Sequence, residues 1–265
     1  KLSQYIYNEY GIKMPIAKKT MLQSRLQKRL RALNINNYKD YIEYAFSKEG
    51  LQTEIIHMMD VVSTNKTDFF REPVHFSFLY ENILPEFINP KQTRKLIKIW
   101  SAGCSSGEEA YTIAMVLNEY SENVTSFDYS IMATDISTLM LKTGLNAIYK
   151  EEKANNIPLE YKKKYLLRSK NREKRTVRII KNLRKKVIFK RLNLMDTSYD
   201  VKDMFEVVFC RNTLIYFDRD TQEKVINRLC RNLKPGGYFL LGHSESITSM
   251  NVPLEQIKPT IFKKI

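Results

Sequence analysis

Two adjacent carboxylates, Glu108 and Glu109, follow a glycine loop in the stretch WSAGCSSGEEAY, Trp100 to Tyr111. The apolar run KLIKIW precedes the loop, and the helical pattern EEAYTIAMVLNEY continues it. Strand, glycine loop and helix make a common nucleotide cradle. The two acids argue against a phosphate there. A P-loop needs G-x-x-x-x-G-K-[ST]. Here Gly103 and Gly107 stand too close, and Glu108 takes the lysine position. The dinucleotide fingerprint G-x-G-x-x-G is absent, and Asp135 lies beyond the usual spacing of about 20 residues.

A ligand with hydroxyls and an ammonium but no phosphate suits such a loop, and S-adenosylmethionine is one. Asp135 can accept both ribose hydroxyls, and a loop acid can compensate the ammonium. Glu109 is the expected contact. Each acid also has a plainer reading. Acids in a first helical turn complement the helix dipole, and Asp135 suits the N-cap of the next helix.

These residues need a sheet to position them. YSIMATDI ends at Asp135, KVIFKRLNL at Asn193 and Leu194, FEVVFC at Cys210 to Asn212, and YFLLGH runs into GHSES. In open α/β sheets, ligands sit beyond the carboxyl ends of the strands. STLMLKTGLNAIY and DRDTQEKVINRLCRNL read as helices, the second with Asp220 and Glu223 spaced as an acidic capping box. KPGG reads as a turn, and LEQIKPTIFKKI supplies one or two closing strands. Alternation of strands and helices predicts an α/β fold, a mostly parallel sheet with helices on both faces.

The N-terminal region reads differently. Leu22, Leu26, Leu30 and Leu33 form one helical stripe, with Lys18, Arg25, Lys28 and Arg31 on its flank and back. YKDYIEYAF and LQTEIIHMMDVV repeat the amphipathic spacing. The expected organisation is a helical domain over 1–75, a linker over 76–94 punctuated by Pro85 and Pro90, and an α/β domain over 95–265. A basic insert at about 160–188 interrupts the α/β rhythm, and RTVRII within it reads as a strand.

Hydrophobic residues are 43% and charged residues 28%, as in soluble globular chains. No apolar run approaches the roughly 20 residues that span a bilayer. No signal peptide is visible, and Lys1 suggests a fragment or a processed product. Cys104, Cys210 and Cys230 form no C-x-x-C pair, which fits a reducing compartment and no metal site. The net charge of +15 attracts acidic partners. Nucleic acid, an anionic membrane and an acidic protein surface all qualify.

The segments STNKTDFFRE, WSAGCSSGEEAYTIAM, ATDIS, LNLMD, FCRNTLIYFD and LKPGGYFLLGHSES resemble, in order, the signatures of the chemotaxis receptor methyltransferase (CheR) family. The N-terminal helices resemble its small helical domain more loosely. The resemblance implies a Rossmann-like class I methyltransferase with a seven-stranded, mostly parallel sheet, an all-helical N-terminal domain and a small inserted β-subdomain. It implies methyl transfer from S-adenosylmethionine to glutamate side chains of methyl-accepting chemotaxis receptors. The products are a glutamate methyl ester and S-adenosylhomocysteine. Carried over by motif, Asn65, Thr67, Arg71, Glu109, Asp135, Asn193, Leu194, Arg211 and Asn212 bind the cofactor. Arg71 and Tyr216 lie near the transferring methyl.

A glutamate carboxylate is ionised near neutrality, with an ordinary pKa of about 4.3. It needs orientation and exclusion of water rather than a base. His243 reads as a structural histidine, and Cys104 and Cys210 as small apolar fillers. The basic face of Lys18, Arg25, Lys28 and Arg31 is a candidate dock for the acidic cytoplasmic receptor bundle, beside the plainer reading of a solvated face. The family's insert contributes to receptor binding, in some members by gripping a receptor C-terminal peptide through a glycine-containing loop. SKNREKRT here contains no glycine. A cytoplasmic monomer is expected, without nucleic acid or membrane insertion. The rival is an RNA methyltransferase, motivated by the charge. Base amino-methylases typically carry Asn/Asp-Pro-Pro-aromatic after the fourth strand, where this chain has CRNTLIYF.

Overall fold

The leucine stripe and the apolar strand runs fold into separate cores. The computed structural model describes residues 2–88, 95–124 and 127–265. Helices α1 (Leu2–Tyr10), α2 (Lys19–Leu33), α3 (Tyr38–Ala45), α4 (Lys48–Gln52) and α5 (Glu54–Val62) build the N-terminal unit. Leu22, Leu26 and Leu30 are buried there against Ile6, Met58 and Met59. Leu33 is half-buried. Arg29 grips buried Glu54 with two hydrogen bonds of 2.9 and 2.7 Å, and the Tyr41 hydroxyl donates to the same carboxylate.

Of the stretch expected as a linker, residues 76–87 are helical. α6 (Val74–Phe78) passes through one π-helical turn into α7 (Leu84–Phe87). Phe76, Phe78, Leu79, Ile83 and Leu84 are buried in the core of the sheet. Pro85 directly follows the π-helical turn, in the first turn of α7, so its missing N–H falls where the α-helical ladder is already interrupted. Pro90, with the rest of 89–94, lies outside the described residues.

The main sheet contains β1 (Lys95–Ala102), β2 (Phe127–Asp135), β6 (Val187–Arg191), β7 (Phe205–Cys210), β8 (Leu233–Leu241), β9 (Leu254–Lys258) and β10 (Ile261–Lys264). Their order is β6-β2-β1-β7-β8-β10-β9. The first five run parallel; β10 lies antiparallel to both β8 and β9. Every residue of β7 is buried, as a central parallel strand covered on both faces must be. Its side chains alternate between two cores. Val207 and Phe209 join the core under α8 (Glu108–Asn123), whereas Val208 and Cys210 join that of α12 (Arg219–Arg231).

A second sheet, β3 (Ile148–Lys150), β5 (Thr176–Ile179) and β4 (Leu166–Arg168) in the order β3-β5-β4, is antiparallel. The RTVRII strand is its centre. β3 precedes the expected insert and directly follows α9 (Thr138–Asn146). The cap of α12 also differs from expectation. Asp218, not Asp220, accepts the Thr221 N–H at 2.9 Å, and Glu223 accepts from the Asn251 backbone. KPGG forms part of β8, with Gly236 at φ +72°. No helix among the described residues is long and apolar enough to cross a membrane.

Candidate functional site

β2 and β7 flank β1 on opposite sides, so the strand order reverses there and opens a crevice at the carboxyl ends. The β1 loop turns at Gly103, whose φ is +85°. A Cβ there would stand 2.2 Å from Thr213 Oγ1, so only glycine fits. Ser105, also left-handed at φ +49°, aims its N–H at Asp135 Oδ2, 2.8 Å away. Ser137 N–H donates to the other oxygen at 2.9 Å. The cap of α9 is Ser137, which accepts from Met140 N–H. Asp135 is therefore a carboxylate held rigidly by backbone, not the helix cap.

The two glutamates of the loop part company. Glu108 is buried and takes a hydrogen bond from Ser106 Oγ at 2.7 Å, away from the crevice. Glu109 lines the crevice and accepts from Ser101 Oγ at 2.6 Å and Arg211 Nη1 at 3.2 Å. Arg211, almost fully buried, also bridges Glu72 at 2.9 Å and donates to the Arg71 carbonyl. Asn212 donates to Glu72, and its own N–H donates to Glu245 at 2.8 Å. Glu245 collects the N–H groups of Leu214 and Gly242 as well, joining the ends of β7 and β8.

The crevice encloses about 330 Å³, within the range of small-ligand pockets. Asn65, Thr67, Arg71, Glu109, Asp135, Asn193, Leu194, Arg211, Asn212 and Tyr216 all line it. Sequence reasoning missed the opposite wall. Tyr10, Ile12, Met14, Met21 and Val62 of the N-terminal unit face the same space. That unit docks through Asp60, which accepts from Ser137 Oγ, Thr138 Oγ1 and Leu139 N–H at the start of α9. Asn193 donates to the Glu9 carbonyl at 2.8 Å. Glu72 and Glu245 were legible only as members of quoted motifs.

The basic face divides. Lys18 is exposed and lines the crevice; Lys28 and Arg31 are exposed on α2. Arg25 turns inward and donates to the Val62 and Ser63 carbonyls and to Thr64 Oγ1. It clips α2 to the end of α5 through Nη1.

Burial pushes the Glu109 and Asp135 carboxyls above their ordinary values, against the Arg211 charge at Glu109 and the backbone donors at Asp135. Burial would also raise Glu72, but the hydrogen bond and charge of Arg211, with the Asn212 amide, hold it below the usual range. Burial raises the Cys104 and Cys210 thiols well above their ordinary values.

A model of the CheR methyltransferase SAM-binding domain matches residues 65–262, and one of the CheR methyltransferase all-alpha domain matches residues 1–63. The chain belongs to the CheR methyltransferase family. It is 41% identical to the chemotaxis protein methyltransferase of Borreliella burgdorferi, over 100% of this chain and 93% of that one. Chemotaxis protein methyltransferase 2 of Pseudomonas aeruginosa is 31% identical over 99% of this chain and 91% of its own length. The Escherichia coli chemotaxis protein methyltransferase is 32% identical over 94% and 84%.

S-adenosylmethionine is the cofactor of this CheR methyltransferase. The crevice fits it on its own evidence. Two carboxylates line it where a phosphate would be repelled, Gly103 lets a ligand approach backbone, and the buried Arg211 Nε has no partner among the described residues. The sheet order lays Asn193 and Leu194, then Asp135, then Gly103, then Arg211 and Asn212 along the edge. Strand spacing makes that row about 14 Å long.

Proposed function

We propose that this CheR methyltransferase methylates glutamate side-chain carboxylates on the acidic cytoplasmic helical bundle of chemoreceptors. It acts as a monomer in the cytoplasm and sets the receptor methylation level. One observation carries the reading: among the described residues, no histidine or cysteine lines the crevice, while Arg71, Tyr216 and the exposed Lys18 and Lys66 do. That lining suits a nucleophile that arrives already ionised.

The cofactor supplies one thing, a methyl group activated on a sulfonium that leaves as the thioether S-adenosylhomocysteine. Asp135 accepts the ribose hydroxyls through the lone pairs its two backbone donors leave open. Glu109 compensates the ammonium of the methionine portion. Asn193 and Leu194 flank the adenine, and Asn65, Thr67, Arg211 and Asn212 complete the pocket. Arg71 steers the receptor carboxylate, and the Tyr216 hydroxyl donates to the oxygen that does not attack. When bound, the cofactor would supply a sulfonium methyl that an ionised carboxylate can take directly, so the residues of the site need hold or move no proton. Positioning and dehydration carry the rate. Lys18, Lys28 and Arg31 attract the acidic substrate. The relatives' name, chemotaxis protein methyltransferase, supports this substrate class, and nothing favours an RNA substrate.

The test is methyl transfer from radiolabelled S-adenosylmethionine to receptor cytoplasmic fragments and to bulk RNA side by side. Base-labile label on the receptor fragment is the expected result. Base-stable label, or label on RNA alone, overturns the proposal.

A further inference from the structure

His57, His75 and His243 are the chain's three histidines. Two of them meet beside the Arg211 network, with the His75 and His243 rings 5.3 Å apart and edge-on. His75 lies in α6 and is 1% exposed. Its Nε2 stands 2.8 Å from Thr260 Oγ1. The Thr260 hydroxyl already donates to the Pro259 carbonyl at 2.7 Å. The threonine oxygen must therefore accept, which assigns the imidazole proton to Nε2.

That assignment leaves Nδ1 as a bare lone pair. Among the described residues it has no hydrogen-bond partner, and it faces Glu72 Oε2 at 3.5 Å. A bare imidazole nitrogen and a carboxylate oxygen then face each other in a buried place, an arrangement that a bound cation would satisfy.

We propose that Glu72, His75 and His243 bind a divalent transition-metal ion of the zinc class. Their ligand atoms all lie within 4.8 Å of one another. Two imidazole nitrogens and one carboxylate oxygen suit zinc, and bonds of about 2.0–2.2 Å place tetrahedral ligand atoms about 3.4 Å apart. The 3.5 Å gap between Nδ1 and Oε2 already has that width. His243 is exposed, so the fourth position opens to water. Thr260 is the outer partner that fixes the tautomer of a metal-binding imidazole. Glu72 Oε1 keeps the Asn212 and His243 N–H groups, while Oε2 is shared between Arg211 and the ion. The ion ties the start of α6 to the end of β8. The three thiols are buried and do not compete.

The untagged chain, stripped with a chelator, is titrated with Zn²⁺ by calorimetry and with Co²⁺ by visible absorbance. One ion per chain is expected, with a melting temperature that rises with Zn²⁺ concentration. His243→Ala, at an exposed position, weakens binding by at least about tenfold, and Thr260→Ala weakens it by about 10–100-fold without removing a ligand. His57→Ala leaves binding unchanged. No binding by the parent chain, binding retained by both His243→Ala and Glu72→Gln, or binding lost with His57 overturns the proposal.

Discussion

The two walls of the crevice are built on different physics. The sheet wall is polar, charged and fixed: Ser105 and Asn212 hold left-handed backbone at φ +49° and +56°, and Arg211 joins Glu72 to Glu109. The helical wall is mostly apolar and is joined by separate hydrogen bonds, among them those of Asp60, of Asn193, of Tyr7 to Asp218 and of the Lys13 N–H to the Tyr216 carbonyl. Fixed dipoles recognise a small charged ligand without reorganising at binding. An apolar wall hung on separate contacts excludes water and carries the face that meets a large partner. On the proposed function, the sheet wall recognises the cofactor and the helical wall meets the protein substrate.

Four variants would break or sharpen that division. Arg211→Met has the largest expected effect. It leaves two buried carboxylates without their cation, and unfolding in urea should show a loss of about 3–5 kcal/mol. A loss near zero would mean the network is dispensable.

Glu109→Gln comes next. Cofactor binding by calorimetry should weaken by about 1.5–3 kcal/mol, the order of a charged hydrogen bond. Its pH signature has a definite sign. The Glu109 carboxyl is raised by burial, so its contribution to the stability of the cofactor-free protein is full below the unfolded carboxylate value. That contribution is lost as pH rises through the folded value. Cofactor affinity runs the other way and weakens as pH falls from neutrality through that raised range. Glu109→Gln should flatten this dependence, and an unflattened profile would remove Glu109 from ammonium recognition.

Asp60→Ala tests the helical wall. It strands three donors at the start of α9 and should cost about 1–3 kcal/mol in stability. The KM for the receptor fragment should rise more than that for the cofactor. Equal shifts would erase the distinction between the walls. The smallest effect is expected from Lys28→Glu with Arg31→Glu. Stability should stay within about 0.5 kcal/mol and cofactor binding should hold, while the receptor KM rises and its salt dependence falls. A normal KM would return that face to ordinary solvated surface.

Much of the sheet wall was legible because several of its residues end or follow a strand, and strands announce themselves by composition. Gly103, Asp135 and Asn212 sit where a parallel strand ends, so finding the strand finds the residue. The helix over 74–87 was hidden because Pro85 signals a break, although proline is tolerated in a first turn. Asp218 was passed over as the α12 cap because Asp220 and Glu223 offered the same spacing two residues on. Arg25 and Lys28 looked equivalent on a helical wheel, but which cation turns inward depended on the free carbonyls at the end of α5.

The sequence by itself determined the order of the main-sheet strands along the chain, the loops that end them and the exclusion of phosphate, because these follow from local pattern and charge. Only the tertiary structure decided which glutamate of the opening pair faces the ligand. It also supplied the helical wall and brought Glu72, His75 and His243 together. Those outcomes depend on side chains far apart in the chain competing for the same buried donors, and no local spacing records that competition.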